Sequence, residues 1–372
     1  MKTNRYDAPH WRTEVQIVDD IYERGGFEMP VHYILSLTHE CNLHCPFCFL
    51  DKVEGDRAMN TEDWLEVLSQ LPSYARVILF GGEPLMFHDF ERVFTAATES
   101  FKCSIVTNGT LLTPERVELF VSKNNFSDLN ISIDSMNNWN RNFSNSDWAN
   151  LLAGVKHYND IRKKRKAPPK LGISVVILDE TAEELHDVHR FAHQELQCDF
   201  VNYCLLNGGP MQLSDNMQPF GRLYEDVIPP LYNKWDIILE QIEKNRRYDR
   251  EHGYVSYFRP KIIDVNLCQS TEKLRILNKP KFEKERFGTC KMPWADCRIH
   301  PDGNISACLS VPFGNFKQTP DLKTILTSST TEHFKSELKD HGFYAQCNRC
   351  VFLYDKAFER TSVSSTDNTR RR

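Results

Sequence analysis

No apolar run in this chain reaches the ~18–20 residues needed to span a bilayer. The first residues, MKTNRYDAPHWRTE, lack the apolar stretch of a secretory signal. The expected location is therefore cytoplasmic, with no membrane partner. A basic excess is missing too. The net charge is −5 and the pI is near 6.2, which argues against a general nucleic-acid or membrane-surface binder. No internal repeat of fixed period is present. What remains is a chain of 372 residues, 40% hydrophobic and 26% charged. Those values are ordinary for a globular protein, and the length suits one large domain with a smaller one.

Cysteine is what the chain has in quantity: twelve residues. In a reducing compartment such cysteines are metal ligands or catalytic groups more often than disulfides. Seven fall into two spaced sets. Cys41, Cys45 and Cys48 lie in the run Cys-Asn-Leu-His-Cys-Pro-Phe-Cys. A C-x3-C-x2-C spacing lets each thiolate take one corner of an iron–sulfur cube. The fourth iron is then left open to a small molecule. Zinc is the alternative, but a structural zinc wants four closed ligands. His44, wedged between Cys41 and Cys45, is poorly placed to complete that set. The second set is Cys290, Cys308, Cys347 and Cys350. A Pro-Asp-Gly turn between the first two signals a hairpin with one cysteine at each base. The later Cys-Asn-Arg-Cys closes a four-thiolate cage, which suits a cluster or a zinc ribbon. The other five (Cys103, Cys198, Cys204, Cys268 and Cys297) default to small buried hydrophobes.

From Val31 onward, strand and helix patterns alternate. Strands are predicted over 31–37, 75–82, 103–109, 128–135, 171–178 and 200–206. Helices are predicted over 61–71, 89–100, 113–123, 148–166 and 181–196, with Thr61, Thr113 and Thr181 as N-caps and Pro114 at a first helical position. The strands are nearly continuous apolar runs, as doubly covered parallel strands are. Six strand–helix units with right-handed crossovers predict an α/β fold. Its form is a partial (β/α)6 parallel-strand barrel with a small C-terminal α+β domain. The expected division is an N-terminal extension over 1–30, the barrel over 31–207, a linker and helical segment over 208–289, the second cysteine domain over 290–360 and a frayed tail over 361–372. Chemistry in such folds gathers at the C-terminal strand ends. The first cysteine set, Gly-Gly-Glu-Pro, Thr-Asn-Gly-Thr and Ser-Ile-Asp all fall there.

With these motifs in this order, the chain resembles the radical SAM superfamily over roughly Val31 to Asn207. Phe47, just before the last cysteine of the loop, adds to the likeness. The resemblance implies that Cys41, Cys45 and Cys48 hold a 4Fe–4S cluster whose free iron chelates S-adenosylmethionine. One electron then yields methionine and a 5′-deoxyadenosyl radical that takes a hydrogen atom from the substrate. Gly81, Gly82, Glu83 and Pro84 match the element that binds the methionine ammonium. Ser132 and Asp134 match the ribose contacts, and Asn108 is a further candidate. The second cysteine set looks like a twitch domain, the shortened SPASM domain, which implies a closed auxiliary 4Fe–4S cluster on Cys290, Cys308, Cys347 and Cys350. An electron donor such as flavodoxin or ferredoxin is implied as a partner.

A closed cluster exchanges electrons and does not bind substrate. Oxidation of a substrate radical would give a crosslink or an unsaturated product. Quenching by a thiol would give an epimer, with Cys297 and Cys204 as candidate donors; Cys103 begins its strand at the wrong end. The expected substrate is a peptide or natural product. Only about thirty residues precede the first strand, too few for the leader-recognition module that many peptide-modifying relatives carry. The alternatives are a dehydrogenase or epimerase of an aminocyclitol-type sugar, and a non-catalytic metal-binding protein.

Overall fold

The computed structural model describes residues 22–23, 29–48, 58–136, 141–206, 232–260, 263, 274–275, 277, 288–307, 311–342 and 350. Its frame is a ten-stranded sheet in the order β10-β9-β8-β1-β2-β3-β4-β5-β6-β7. The first six strands are β1 (His32–Ser36), β2 (Arg76–Phe80), β3 (Lys102–Thr107), β4 (Phe126–Ser132), β5 (Lys170–Ile177) and β6 (Phe200–Leu205). Five helices connect them: α1 (Thr61–Ser69), α2 (Phe90–Ser100), α3 (Pro114–Ser122), α4 (Asn145–Arg162) and α5 (Leu185–Gln194). The six strands run parallel in sequential order, the pairing expected of βαβ units.

Two caps differ from expectation. Asn60, not Thr61, caps α1: its side chain accepts from Asp63 N at 3.0 Å, and the Asp63 carboxylate accepts from Asn60 N at 2.8 Å. This box closes one residue earlier because both partners are reciprocal acceptors. Asn60→Ala is expected to lower stability by about 1 kcal/mol, read from denaturant midpoints. Thr181 makes no side-chain cap bond; a 3-10 turn over Ala182–Glu184 separates it from α5. Thr113 caps α3 with Pro114 behind it, as expected.

The segment placed in the link contributes regular structure. Helix α6 (Trp235–His252) is followed by β7 (Ser256–Arg259), which adds to β6 in parallel. A Pro-Asp-Gly turn does form a hairpin. Its strands β8 (Asp296–Ile299) and β9 (Asn304–Ser306) are antiparallel, with Gly303 at φ 84°. A short β10 (Pro312–Asn315), α7 (Leu322–Leu326) and α8 (Ser329–His341) follow. The hairpin does not stand apart: β8 lies parallel to β1 and extends the barrel sheet. Buried His32 Nδ1 and Asp296 Oδ1 meet 2.9 Å apart across that seam. Gln70, at the end of α1, donates to Pro320 O at 3.0 Å and accepts from Leu322 N at 2.9 Å.

Register assigns the two faces of the sheet. Tyr203 is on the outer face, because α5 and α6 reach its hydroxyl through His189 and Asn245. Stepping across the paired registers, Ile173, Ile131, Ile105, Val77 and Tyr33 share that face and are all buried. The alternate residues, among them Ser132, Ser174, Asn202 and Cys204, face the interior of the partial barrel. Among the described residues, no helix is long and apolar enough to cross a membrane.

Candidate active site

The cysteine loop leaves β1 at its C-terminal end. Cys41 and Cys45 are half-buried and Cys48 is exposed. Burial pushes the Cys45 thiol up to about 11, while the Arg141 guanidinium draws it down and the neighbouring Cys48 and Cys41 add to the rise. Asn108 Nδ2 lies 4.0 Å from Cys41 Sγ, and Arg141 Nη1 lies 3.9 Å from Cys45 Sγ. Two N–H donors thus face the sulfurs, the environment that an anionic thiolate-bound cluster needs. His44 is exposed on the loop, with its carbonyl accepting from Asn142 Nδ2 at 2.5 Å.

The loop after β2 closes on the segment leading into those cysteines. Gly82 N donates to Thr38 O at 2.7 Å, and Glu83 N donates to Glu40 O at 2.8 Å. A Cβ on Gly82 would sit 2.2 Å from Glu40 O. The glycine is required by this close approach of two backbones. Glu83 is fully buried, and both of its oxygens are engaged. Oε1 accepts from Thr107 Oγ1 at 2.6 Å and Leu85 N at 3.1 Å; Oε2 accepts from Asn108 N at 2.8 Å. Burial pushes its carboxyl above the ordinary range, against these donors. Pro84 opens the one-turn 3-10 helix that Glu83 caps.

Asn108 carries the network onward. It donates to Asn42 Oδ1 at 2.8 Å and accepts from Thr110 N at 2.9 Å and Thr110 Oγ1 at 2.7 Å. Asn42 in turn donates to Thr110 Oγ1 at 2.8 Å. The ends of β1, β2 and β3 are thereby tied into one hydrogen-bonded unit around the cysteine loop.

Asp134 lies two residues beyond the end of β4, not within it as expected. Its Oδ1 accepts from Val176 N at 2.7 Å, and its Oδ2 lies 2.5 Å from Arg141 Nε. Ser132, at the end of β4, is half-buried beside Ser174. Arg141 also covers the Phe47 ring, 5.5 Å from its centroid. This arginine joins Asp134, Cys45 and Phe47. Sequence reasoning missed it because no motif marks it; only folding carries it from the segment after β4 to the cysteine loop.

The two candidate thiol donors separate by face. Cys204 is in register with Val176, whose N–H binds Asp134, so it points into the interior at the level of Asp134 and Arg141. Burial pushes its thiol up to about 12, with Asp134 adding to the rise and Arg141 opposing it. Cys297 is in register with Tyr33 and fully buried on the outer, apolar face. The alternation of the strand removes it from the cavity. Cys103 is buried on the same outer face. Of the second cysteine set, Cys290 and Cys350 are half-buried; Cys308 and Cys347, like Cys268, lie outside the described residues.

Residues 35–192 match the Radical SAM superfamily model, and residues 290–351 match the SPASM model, an iron–sulfur cluster-binding domain. The chain is 28% identical over 183 residues to the sporulation killing factor maturation protein SkfB of Bacillus subtilis (strain 168), covering 47% of this chain and 43% of that protein. It is 34% identical over 96 residues to a PqqA peptide cyclase of Rhodopseudomonas palustris (24% and 26%). A GTP 3′,8-cyclase of Synechocystis sp. is 28% identical over 175 residues (45% and 52%). The chain thus spans about half or less of the length of these curated relatives. Among solved structures, Streptococcus suis SuiB bound to S-adenosylmethionine superposes with a TM-score of 0.62 at 17% identity, covering 87% of this chain and 72% of SuiB. That likeness speaks to the fold. With the cysteine loop, the strand-end network and these two matched segments together, the chain is a radical SAM superfamily protein carrying a C-terminal iron–sulfur cluster-binding domain.

Proposed function

We propose that Cys41, Cys45 and Cys48 hold a 4Fe–4S cluster with one iron open to S-adenosylmethionine, and that the protein abstracts a hydrogen atom from a peptide substrate. When bound and reduced by one electron, this pair supplies methionine and a 5′-deoxyadenosyl radical. The observation that carries the reading is the convergence of the cysteine loop, Glu83, Asn108 and the Asp134–Arg141 pair at neighbouring strand ends.

The chain's own residues have separable tasks. Glu83 fastens β2 to β3, and the Gly81–Pro84 loop it anchors would take the methionine ammonium. Asn108 holds the cysteine loop to β3. Asp134 is fixed by Val176 N and Arg141, and it and Ser132 would contact the ribose. Arg141 keeps a positive charge against Cys45. In the second domain, Cys290, Cys308, Cys347 and Cys350 would close the auxiliary cluster, which leaves it electron exchange as its task.

A peptide substrate is supported by the name of the relative PqqA peptide cyclase, and by a structure of SuiB bound to precursor peptide SuiA. The match to a GTP 3′,8-cyclase supports a second reading, a small-molecule substrate.

Of the two candidate donors, Cys204 is the one whose strand register turns it to the barrel interior. Kept protonated by burial, it has an S–H to give to a substrate radical, and the resulting thiyl needs one electron and one proton to be restored. The test is to reconstitute the protein without oxygen, reduce it with dithionite, and follow 5′-deoxyadenosine and product in heavy water. Solvent deuterium on the product, absent with Cys204→Ala while 5′-deoxyadenosine persists, is the expected epimerase result. Wild-type product free of deuterium would leave crosslinking or oxidation instead. No 5′-deoxyadenosine at all would overturn the enzyme reading.

A further inference from the structure

A second candidate site lies on the opposite face of the sheet, away from the cysteine loop. His189 and His193 are one helical turn apart on α5 and present one face of it. Asp249, near the end of α6, faces both. His189, His193 and Asp249 each offer one ligand atom, and these lie within 4.8 Å of one another. All three residues are buried. His189 Nε2 is 3.0 Å from Asp249 Oδ1, and His193 Nε2 is 3.9 Å from the same oxygen.

The hydrogen-bond inventory leaves one buried atom unexplained. A neutral His189 can accept from the Tyr203 hydroxyl at Nδ1, 3.1 Å away, and donate from Nε2 to Asp249 Oδ1 at 3.0 Å, so that pair needs no cation. His193 Nε2, in contrast, is a fully buried atom with no hydrogen-bond partner, 3.9 Å from the same Asp249 oxygen. With His189 in its other tautomer, Nδ1 donating to the Tyr203 oxygen and Tyr203 donating to Leu185 O at 3.4 Å, a metal ion satisfies all three ligand atoms at once.

The outer contacts are those of a built site. His193 Nδ1 lies 3.5 Å from Cys198 Sγ, His189 Nδ1 meets Tyr203, and the second Asp249 oxygen accepts from Ser256 Oγ. Each ligand therefore has a partner on its other atom, the arrangement that fixes tautomers and ring orientation in metal sites. We propose that His189, His193 and Asp249 bind one borderline divalent cation, zinc foremost, which pins α5 and α6 together over β6 and β7. Two imidazoles and one carboxylate are a suitable donor set for zinc, with a fourth position left to water.

The test uses the full-length protein with its clusters reconstituted, so that the cysteines are occupied. Zinc is added, excess is removed by gel filtration in the presence of a weak chelator, and retained zinc is measured by mass spectrometry. One zinc per chain is expected, with an X-ray absorption spectrum showing nitrogen and oxygen neighbours at about 2.0–2.1 Å and no sulfur shell near ~2.3 Å. His193→Gln and Asp249→Asn should each weaken zinc retention at least about tenfold. Each should also abolish the rise in melting temperature that zinc gives the wild type. If a variant does not fold, the wild-type absorption spectrum decides alone. No retained zinc, or zinc seen only with sulfur neighbours, would overturn the proposal and leave a metal-free Asp–His–Tyr hydrogen-bond relay.

Discussion

Cys45→Ala is expected to reduce 5′-deoxyadenosine formation to background while leaving the fold intact. The residue lies in a loop outside the apolar core, half-buried, so its loss opens no cavity among packed side chains. Its chemical consequence is much larger. In the proposed site, one missing thiolate would leave the cube held at two corners, unable to keep one iron open while binding the rest. Circular dichroism and the melting temperature should stay near wild type, whereas iron content falls by the share of one cluster. A variant that still cleaves S-adenosylmethionine would show that Cys45 is not a ligand. Asn108→Ala should act in the same direction but more weakly. It removes a donor to Cys41 and the bond to Asn42 while all three thiols remain.

Gly82→Ala is expected to have the second-largest effect, although the substitution adds only a methyl group. That methyl would lie 2.2 Å from Glu40 O and 2.7 Å from His39 O, both backbone atoms that no rotamer change can move. Relief requires the loop after β2 to part from residues 38–40. Parting breaks the bonds from Gly82 N to Thr38 O and from Glu83 N to Glu40 O. The cost is on the order of 3 kcal/mol in stability. The cysteine loop and Glu83 would also be displaced relative to each other. The protein should still take up iron, because the thiols are present, but S-adenosylmethionine binding should be lost. Equilibrium binding on the reconstituted protein reads this. Wild-type affinity in a folded Gly82→Ala protein would mean that the two loops need not be joined for binding.

The parallel core was legible in the sequence because its signals are local. Each outer-face residue from Val77 to Tyr203 belongs to a short apolar run between turn residues, and each run follows a helix with its own period. The motif positions were legible for the same reason, since parallel strands put every loop of one kind at one end. What was not legible depends on register or on distance. Cys297 and Cys204 look alike as lone cysteines in strands. Only the pairing of Cys297 with Tyr33, and of Cys204 with Val176, sends one outward and the other inward. β7 is four residues long and follows a highly polar helix, so its pattern was too short to read. The parallel pairing of β8 with β1 joins residues some 260 apart, as His32 and Asp296 show. Arg141 belongs to no motif and acquires its place only when Asp134 and Cys45 come together around it.

The most direct measurement is low-temperature electron paramagnetic resonance of the dithionite-reduced Cys290→Ala/Cys350→Ala protein, with and without S-adenosylmethionine. These two changes remove two of the cysteines proposed to hold an auxiliary cluster, so the remaining signal would report the proposed Cys41, Cys45 and Cys48 site. A reduced cluster signal that shifts on addition of S-adenosylmethionine, with nitrogen coupling from its labelled amino group, is the predicted result. A signal unaltered by S-adenosylmethionine, or a cluster whose remaining corner is held by a protein side chain, would contradict the account.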